Sequence, residues 1–179
     1  AKEELVGDII ISYADIIYEK NTLQKLIESK QKIGVVIDKK WEAYWNKRFE
    51  NILDDVESLK IDTKGNIIEI GQKADNLDEI QGQYIGLMKF NSKGTKILLD
   101  FYQKCREKSE KGENPLNPKI EFKKSYFTDL LQGLVTEGNE LKPIFINGGW
   151  LEFDTINDFE LYEKMIENNS LSELINFDR

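Results

Sequence analysis

The chain has no histidine, one cysteine and three prolines in 179 residues. Without histidine there is no imidazole base, no Ser-His-Asp triad and no ordinary zinc centre, and one cysteine closes no internal disulfide. Any metal must then be held mainly by oxygen. Hard oxygen ligands select Mg2+ or Mn2+, and Mg2+ usually completes its shell with water and substrate phosphates. Basic charge is also short, since 25 Lys plus Arg face 33 Asp plus Glu and leave a net charge of -8. That balance opposes a nucleic-acid surface but leaves room for a local cationic pocket. No long apolar run and no secretory leader are present, so a cytoplasmic location without a membrane partner is expected. Asn168-Asn169-Ser170 fits a glycosylation sequon, which carries no weight without export. No Gly-rich phosphate loop occurs either, although α/β phosphate-binding domains commonly carry one after their first strand. The sequence opens on Ala1-Lys2-Glu3-Glu4 and runs straight into a strand, so the expectation is that such a loop is missing from its start.

What is present suits one globular domain, with 40% hydrophobic residues. Strands and helices alternate. An apolar run over 8–13 predicts a strand, 20–29 a helix, and the β-branched run 33–38 a second, parallel strand, together a βαβ unit. The aromatic and charged stretch 41–49 predicts a short helix or ordered loop. Residues 58–61 and 67–70 flank Asp62-Thr63-Lys64-Gly65-Asn66 and predict an antiparallel hairpin, with Gly65 supplying the positive φ of its turn. The run 83–90 reads as a strand interrupted by Gly86, which marks a bulge or a close approach. Helices are expected over 92–108, over 126–136 and after Thr155, with a strand over 143–146 and an exposed loop at 111–118. Cys105, on a helical periodicity, reads as a structural thiol.

Two acids stand out. Gly7-Asp8-Ile9-Ile10-Ile11-Ser12-Tyr13-Ala14-Asp15 reads as a buried strand ending on a carboxylate, and Asp154 occupies a similar setting near the other end. Ligands of open α/β sheets bind outside the carboxyl ends of strands, so the pair suggests a divalent-ion site assembled from distant segments. Read singly, Asp15 also suits a strand-end turn and Asp154 a helix N-cap. Lys73 is placed to meet an acceptor phosphate and Arg48 to make a forked contact with phosphate oxygens, against the plainer reading of solvated basic side chains. Gln83 and Asp129 are candidates for hydrogen bonds to an acceptor; a strand-edge Gln and a helix-start Asp are the bland alternatives. Trp150, beside Gly148-Gly149, suits either an acceptor-pocket wall with cation-π capacity or a buried structural ring. The aromatic cluster Trp41, Tyr44, Trp45 and Phe49 reads as packing.

Five segments in order carry a resemblance: Ile11-Ser12-Tyr13-Ala14-Asp15, Ile70-Gly71-Gln72-Lys73, Gly82-Gln83-Tyr84-Ile85-Gly86-Leu87, Phe127-Thr128-Asp129-Leu130-Leu131-Gln132 and Gly149-Trp150-Leu151-Glu152-Phe153-Asp154-Thr155. Together they resemble the nucleotidyltransferase family, in particular small cytidylyltransferases that activate phosphonate, phosphocholine or related groups. The resemblance implies a three-layer α/β/α Rossmann-like domain over 1–179 with a mixed, mostly parallel sheet. It also implies transfer of a nucleotidyl group, from CTP by resemblance, to a small phosphorylated or phosphonate acceptor with release of pyrophosphate. Asp15 and Asp154 match the family's two metal-binding acids, and Mg2+ is the implied cofactor. Ala14 departs from the Gly common before the first acid. The family's Leu-Ala-Ala-Gly-type loop is absent, so the 179 residues alone are expected to be a partial, inactive domain. Nucleotidyl transfer fits the composition independently, because the attacking phosphate oxygen is already ionised and needs no strong base. The competing readings are a metal-dependent glycosyltransferase and a noncatalytic binding domain.

Overall fold

A computed structural model describes residues 5–177, with Asp54 described by its backbone alone. The opening Ala1-Lys2-Glu3-Glu4 therefore lies outside the described residues. Strand β1 (Ile9–Ser12) is followed by β2 (Ile16–Tyr18), α1 (Lys20–Glu28), β3 (Ile33–Asp38) and α2 (Trp41–Arg48). The hairpin β4 (Glu57–Ile61) and β5 (Ile67–Lys73) precedes β6 (Gln83–Phe90), α3 (Ser92–Ser109) and α4 (Phe127–Thr136). The chain closes with β7 (Lys142–Ile146), β8 (Trp150–Glu152) and α5 (Ile156–Glu167).

The central sheet has the order β1-β6-β3-β7. Strand β6 is antiparallel to both β1 and β3, while β3 and β7 are parallel, so three of the four strands point one way. Every residue of β3 is buried, as a strand covered on both faces requires. Its side chains divide between two layers. Ile33, Val35 and Ile37 pack with Leu98 of α3 and with Leu130, Leu131 and Leu134 of α4. Val36 faces Leu26 of α1, Trp41, Tyr44 and Trp45 of α2, and Tyr162 and Met165 of α5. This is the three-layer α/β/α arrangement, with a mixed sheet.

β1 and β3 run in the same direction across α1, as the βαβ reading expects, with β6 lying between them. The seven residues of β6 other than Gly86 are mostly buried, and such a strand needs a partner on each edge to satisfy its backbone. The short strands β2 and β8 went unread in the sequence. They pair with each other, antiparallel, with Ile16 opposite Glu152 and Tyr18 opposite Trp150.

The hairpin forms as expected. Gly65 has φ 74°, and the Asp62 carboxylate accepts from the backbone N–H groups of Lys64 and Asn66 at 2.8 Å each. Gly86 explains the interruption in β6: the β3–β6 register shifts between Val35 and Ile37, and Gly86 has φ 79°. A Cβ there would lie 2.6 Å from Cγ of Tyr13. The close approach is thus made by an aromatic ring of the chain itself. Cys105 is buried on α3, and burial raises its thiol pKa, as a structural thiol predicts. The 111–118 loop is largely exposed, though Leu116 packs against the core and the Asn114 amide donates to the carbonyl of Ile120.

Candidate active site

The pairing of β2 with β8 brings the two singled-out acids together. The Phe153 N–H donates to the Asp15 carbonyl at 2.8 Å, extending the ladder one step beyond Ile16 and Glu152, and Asp154 follows directly. Both carboxylates are on exposed residues. Among the described residues no three acids converge as a ready-made ion cage. The donor set is instead two accessible carboxylates, which fits a hard cation that fills the rest of its shell with water and phosphate oxygens.

Arg48 holds one side of this arrangement from below. Its side chain is fully buried. Nε donates to Asp158 at 2.7 Å, Nη1 to Glu152 at 2.7 Å, and Nη2 to Asp158 at 3.2 Å and Asp154 at 3.4 Å. The guanidinium also lies over the rings of Phe49, Trp45 and Tyr44. Burial opposes its charge, but the Asp158 hydrogen bonds and surrounding acids outweigh that and raise its pKa. Arg48 therefore corrects the expectation of a free phosphate fork: its donors are spent on the β8–α5 junction, where it positions Asp154. Asp158 closes the junction by accepting from the N–H of Thr155 at 2.9 Å, capping α5. Tyr44 and Tyr162 pin Glu152 on its other side, through its N–H and its carbonyl, and hydrogen-bond to each other.

Two further expectations are corrected by burial. Trp150 is 1% exposed, packs against Tyr44 and Trp45, and donates its indole N–H to Asp38 at 3.0 Å. It is an interior ring, and the aromatic cluster of α2 is its packing partner. Asp38, fully buried at the end of β3, also accepts from the N–H groups of Lys40 and Gly148, which fixes the turn leading into β8. Asp129 is 7% exposed and caps α4, accepting from the Tyr126 N–H at 2.8 Å and the Asn117 amide at 3.2 Å. Both its oxygens are occupied within the fold, so the helix-start reading holds.

The remaining candidates stay near the acids. Gln83 is 3% exposed, donates to the Glu57 carbonyl at 2.8 Å, and lines a cavity of about 190 Å³ that Asp154 also lines. Lys73 stands opposite Glu57 in the β4–β5 ladder, its side chain 87% exposed and loosely paired with Asp75 at 3.9 Å. The other walls of the cavity are Tyr13, Asp55, Glu57, Tyr84 and Gly86, closed by Tyr126, Thr128 and Glu152. Of these, Gly86 was expected to mark a bulge or close approach, and the acids were not singled out from the sequence. The available signal was acid alternation: Asp55-Val56-Glu57 and Glu152-Phe153-Asp154 each put two carboxylates on one face of an extended segment. Burial raises Glu57 to about 7, helped by the charges of Asp55 and Asp129. Glu152 is raised by burial to about 7 as well, with Arg48 partly offsetting the push from Asp154.

Comparison with known proteins agrees with this fold. The chain is 42% identical over 154 residues to a protein named CTP:phosphoglutamine cytidylyltransferase from Campylobacter jejuni, a match covering 86% of this chain and 58% of that relative. Among solved structures, it resembles the inositol-1-phosphate CTP transferase from T. maritima with a TM-score of 0.58 at 15% identity, over 95% of this chain and 58% of the other. A nucleoside-diphosphate-sugar pyrophosphorylase from Vibrio cholerae RC9 superposes with a TM-score of 0.55 at 12% identity, over 88% of this chain and 56% of the other. These structural likenesses establish the fold. No protein-family model matches the chain. Among the described residues no helix is long and apolar enough to cross a membrane.

Proposed function

We propose, for a chain that belongs to the nucleotidyltransferase family, that Asp15 and Asp154 form the metal side of a site for Mg2+-dependent cytidylyl transfer. The donor is CTP, the acceptor a small phosphorylated compound, and the second product pyrophosphate. The observation that carries this reading is the β2–β8 pairing, which sets acids from opposite ends of the chain on adjoining strand ends. The name of the Campylobacter relative supports CTP as donor and a phosphorylated amino acid or amide as acceptor.

Asp15 and Asp154 would hold a Mg2+ ion, which when bound would supply neutralisation of phosphate charge and alignment for in-line attack at the α-phosphorus. The chain's own residues do the positioning. Arg48 holds Asp154 in place through Oδ2 of its carboxylate. Lys73, exposed at the end of β5 and only loosely paired with Asp75, screens the charge of the incoming acceptor phosphate. No residue needs to remove a proton, because that nucleophile is already an anion; the lack of histidine is therefore no obstacle.

The test is pyrophosphate release by the full-length polypeptide with CTP, Mg2+ and phosphorylated amines or amides as acceptors. Asp15→Asn and Asp154→Asn should each lower kcat by about 100-fold or more, the scale of losing a metal-held electrostatic contact. Turnover unchanged by Asp15→Asn would remove the metal role. Lys73→Ala should mainly raise the acceptor KM.

A further inference from the structure

We propose that Tyr44, Tyr162 and Glu19 are positioning residues that lock the register of the β2–β8 ribbon and thereby set where Asp154 stands relative to Asp15. Their role rests on the reading of Asp15 and Asp154 as the metal acids and extends it to what holds the pair together.

The ribbon needs such a lock. Its strands have three residues each and form a sheet of their own, apart from the central one. A two-stranded pair is marginal in isolation. Strands rise about 3.4 Å per residue, so a two-residue slip would carry Asp154 about 7 Å along from Asp15 and break any shared ion site.

The first fastening is at Glu152. The Phe153 N–H points at β2, where it donates to the Asp15 carbonyl, so by antiparallel alternation the N–H and C=O of Glu152 point to the opposite edge of β8. Among the described residues no strand pairs with that edge. Two phenols take the place of one. The Glu152 N–H donates to the Tyr44 hydroxyl at 2.8 Å, and the Tyr162 hydroxyl donates to the Glu152 carbonyl at 2.8 Å. With the Tyr162 proton committed, the bond between the two hydroxyls is donated by Tyr44, which closes a ring of three hydrogen bonds. Both tyrosines are buried, and burial raises the pKa of each phenol, so the protons of the ring stay in place at neutral pH. A one-residue slip would offer the ring a residue whose backbone groups face β2, leaving buried hydroxyls unpaired.

The second fastening is independent and sits at the other end of the ribbon. The Glu19 N–H donates to the Gly149 carbonyl at 2.9 Å, one step past the pair Tyr18 and Trp150. The Glu19 carboxylate lies over Gly149, where φ is 82° and a Cβ would come within 2.8 Å of Cδ of Glu19. Glycine alone suits both the conformation and the space. Oε1 of Glu19 accepts from the Asn176 N–H at 2.9 Å, and the Gly149 N–H donates to the Leu174 carbonyl at 2.9 Å. The end of β2, the entry to β8 and the segment 174–176 are thus gathered at one side chain.

The experiment compares the full-length polypeptide with its Tyr44→Phe, Tyr162→Phe, Glu19→Ala and Glu19→Gln variants. Leu134→Val, in the other core layer, serves as a variant that costs stability without touching the ribbon. Two quantities are read: the Mg2+ concentration for half-maximal pyrophosphate release, and amide hydrogen exchange at Phe153. Tyr44→Phe, Tyr162→Phe and Glu19→Ala should each raise the Mg2+ requirement and speed Phe153 exchange by about 10-fold, the scale of one buried hydrogen bond. Glu19→Gln keeps the acceptor oxygen and should recover most of both. Leu134→Val should lower the melting temperature and move neither. A Mg2+ requirement unchanged in all three variants, or Phe153 exchange no faster in them than in Leu134→Val, overturns the lock. Asp15→Asn keeps the two readings apart: if it leaves the Mg2+ dependence as in wild type, or if no acceptor releases pyrophosphate, the metal reading fails and Phe153 exchange alone decides the lock.

Discussion

Two acidic regions meet at Asp154, and they differ in what compensates them. Behind the strand, Glu152 and Asp158 surround the buried guanidinium of Arg48, with N···O distances of 2.7 Å to each. In front of it, Asp55 and Glu57 face a cavity whose lining contains no basic residue. The first region is closed: its charges satisfy one another, and its contribution is to hold the β8–α5 junction. The second is open, with carboxylates arranged around space. Acid content is similar in the two, so the presence of a paired cation is what separates a structural cluster from a receptive one.

The largest effect expected from breaking this contrast comes from Arg48→Met. It leaves Glu152 and Asp158 buried without their cation, and should destabilise the fold by about 3–5 kcal/mol in urea denaturation. Arg48→Lys should recover little of this, because an ammonium cannot reproduce the forked contact. A loss below about 1 kcal/mol would show that the closed cluster is not what holds the junction. Next comes Gly86→Ala, which adds strain at φ 79° to a collision with Tyr13. A cost of about 2 kcal/mol is expected, read by thermal melting.

The open region should also be visible in the pH dependence of stability. Glu57 sits at about 7 when folded against an ordinary 4.5, so between those values the folded chain keeps a proton that the unfolded chain has released. Its contribution is full below 4.5 and is lost as pH rises to 7, and Glu152 acts in the same window with the same sign. Glu57→Gln should flatten the fall and gain on the order of 2 kcal/mol above pH 7, measured as urea midpoints across that range. A slope identical to wild type would mean that Glu57 is not the titrating wall. The smallest effect is expected for Trp150→Phe, which keeps the ring but removes the donor to buried Asp38. That change should cost about 1–2 kcal/mol of stability without altering the acceptor KM. An altered acceptor KM would return Trp150 to the acceptor pocket.

Much of the secondary structure was legible. Apolar periodicity marked β3, β6, α3 and α4, and the turn chemistry of Asp62 to Asn66 marked the hairpin. The strands β2 and β8 were not, since three residues carry no usable period and each is defined by the other. Among the site residues, Asp15 and Asp154 stood out because each follows an apolar run, and the fold places them on adjoining strand ends. Arg48, Asp129 and Trp150 were misplaced for a shared reason. Each has a side chain that suits a ligand, and only burial shows that its polar atoms are already engaged.

Residue types and their spacing determined, without coordinates, that any metal would be held by oxygen, that the elements alternate as in an α/β domain, and that two distant acids follow apolar runs; Asp15 itself lies in the turn between β1 and β2. Those properties follow from local chemistry: which atoms a side chain carries and which face of a helix or strand is apolar. Tertiary structure decided that β6 separates β1 from β3, that Arg48 supports the site from the interior, and that Asp55 and Glu57 surround an open cavity. These depend on which distant groups lose water together, and desolvation is a property of the packed chain that no single segment carries.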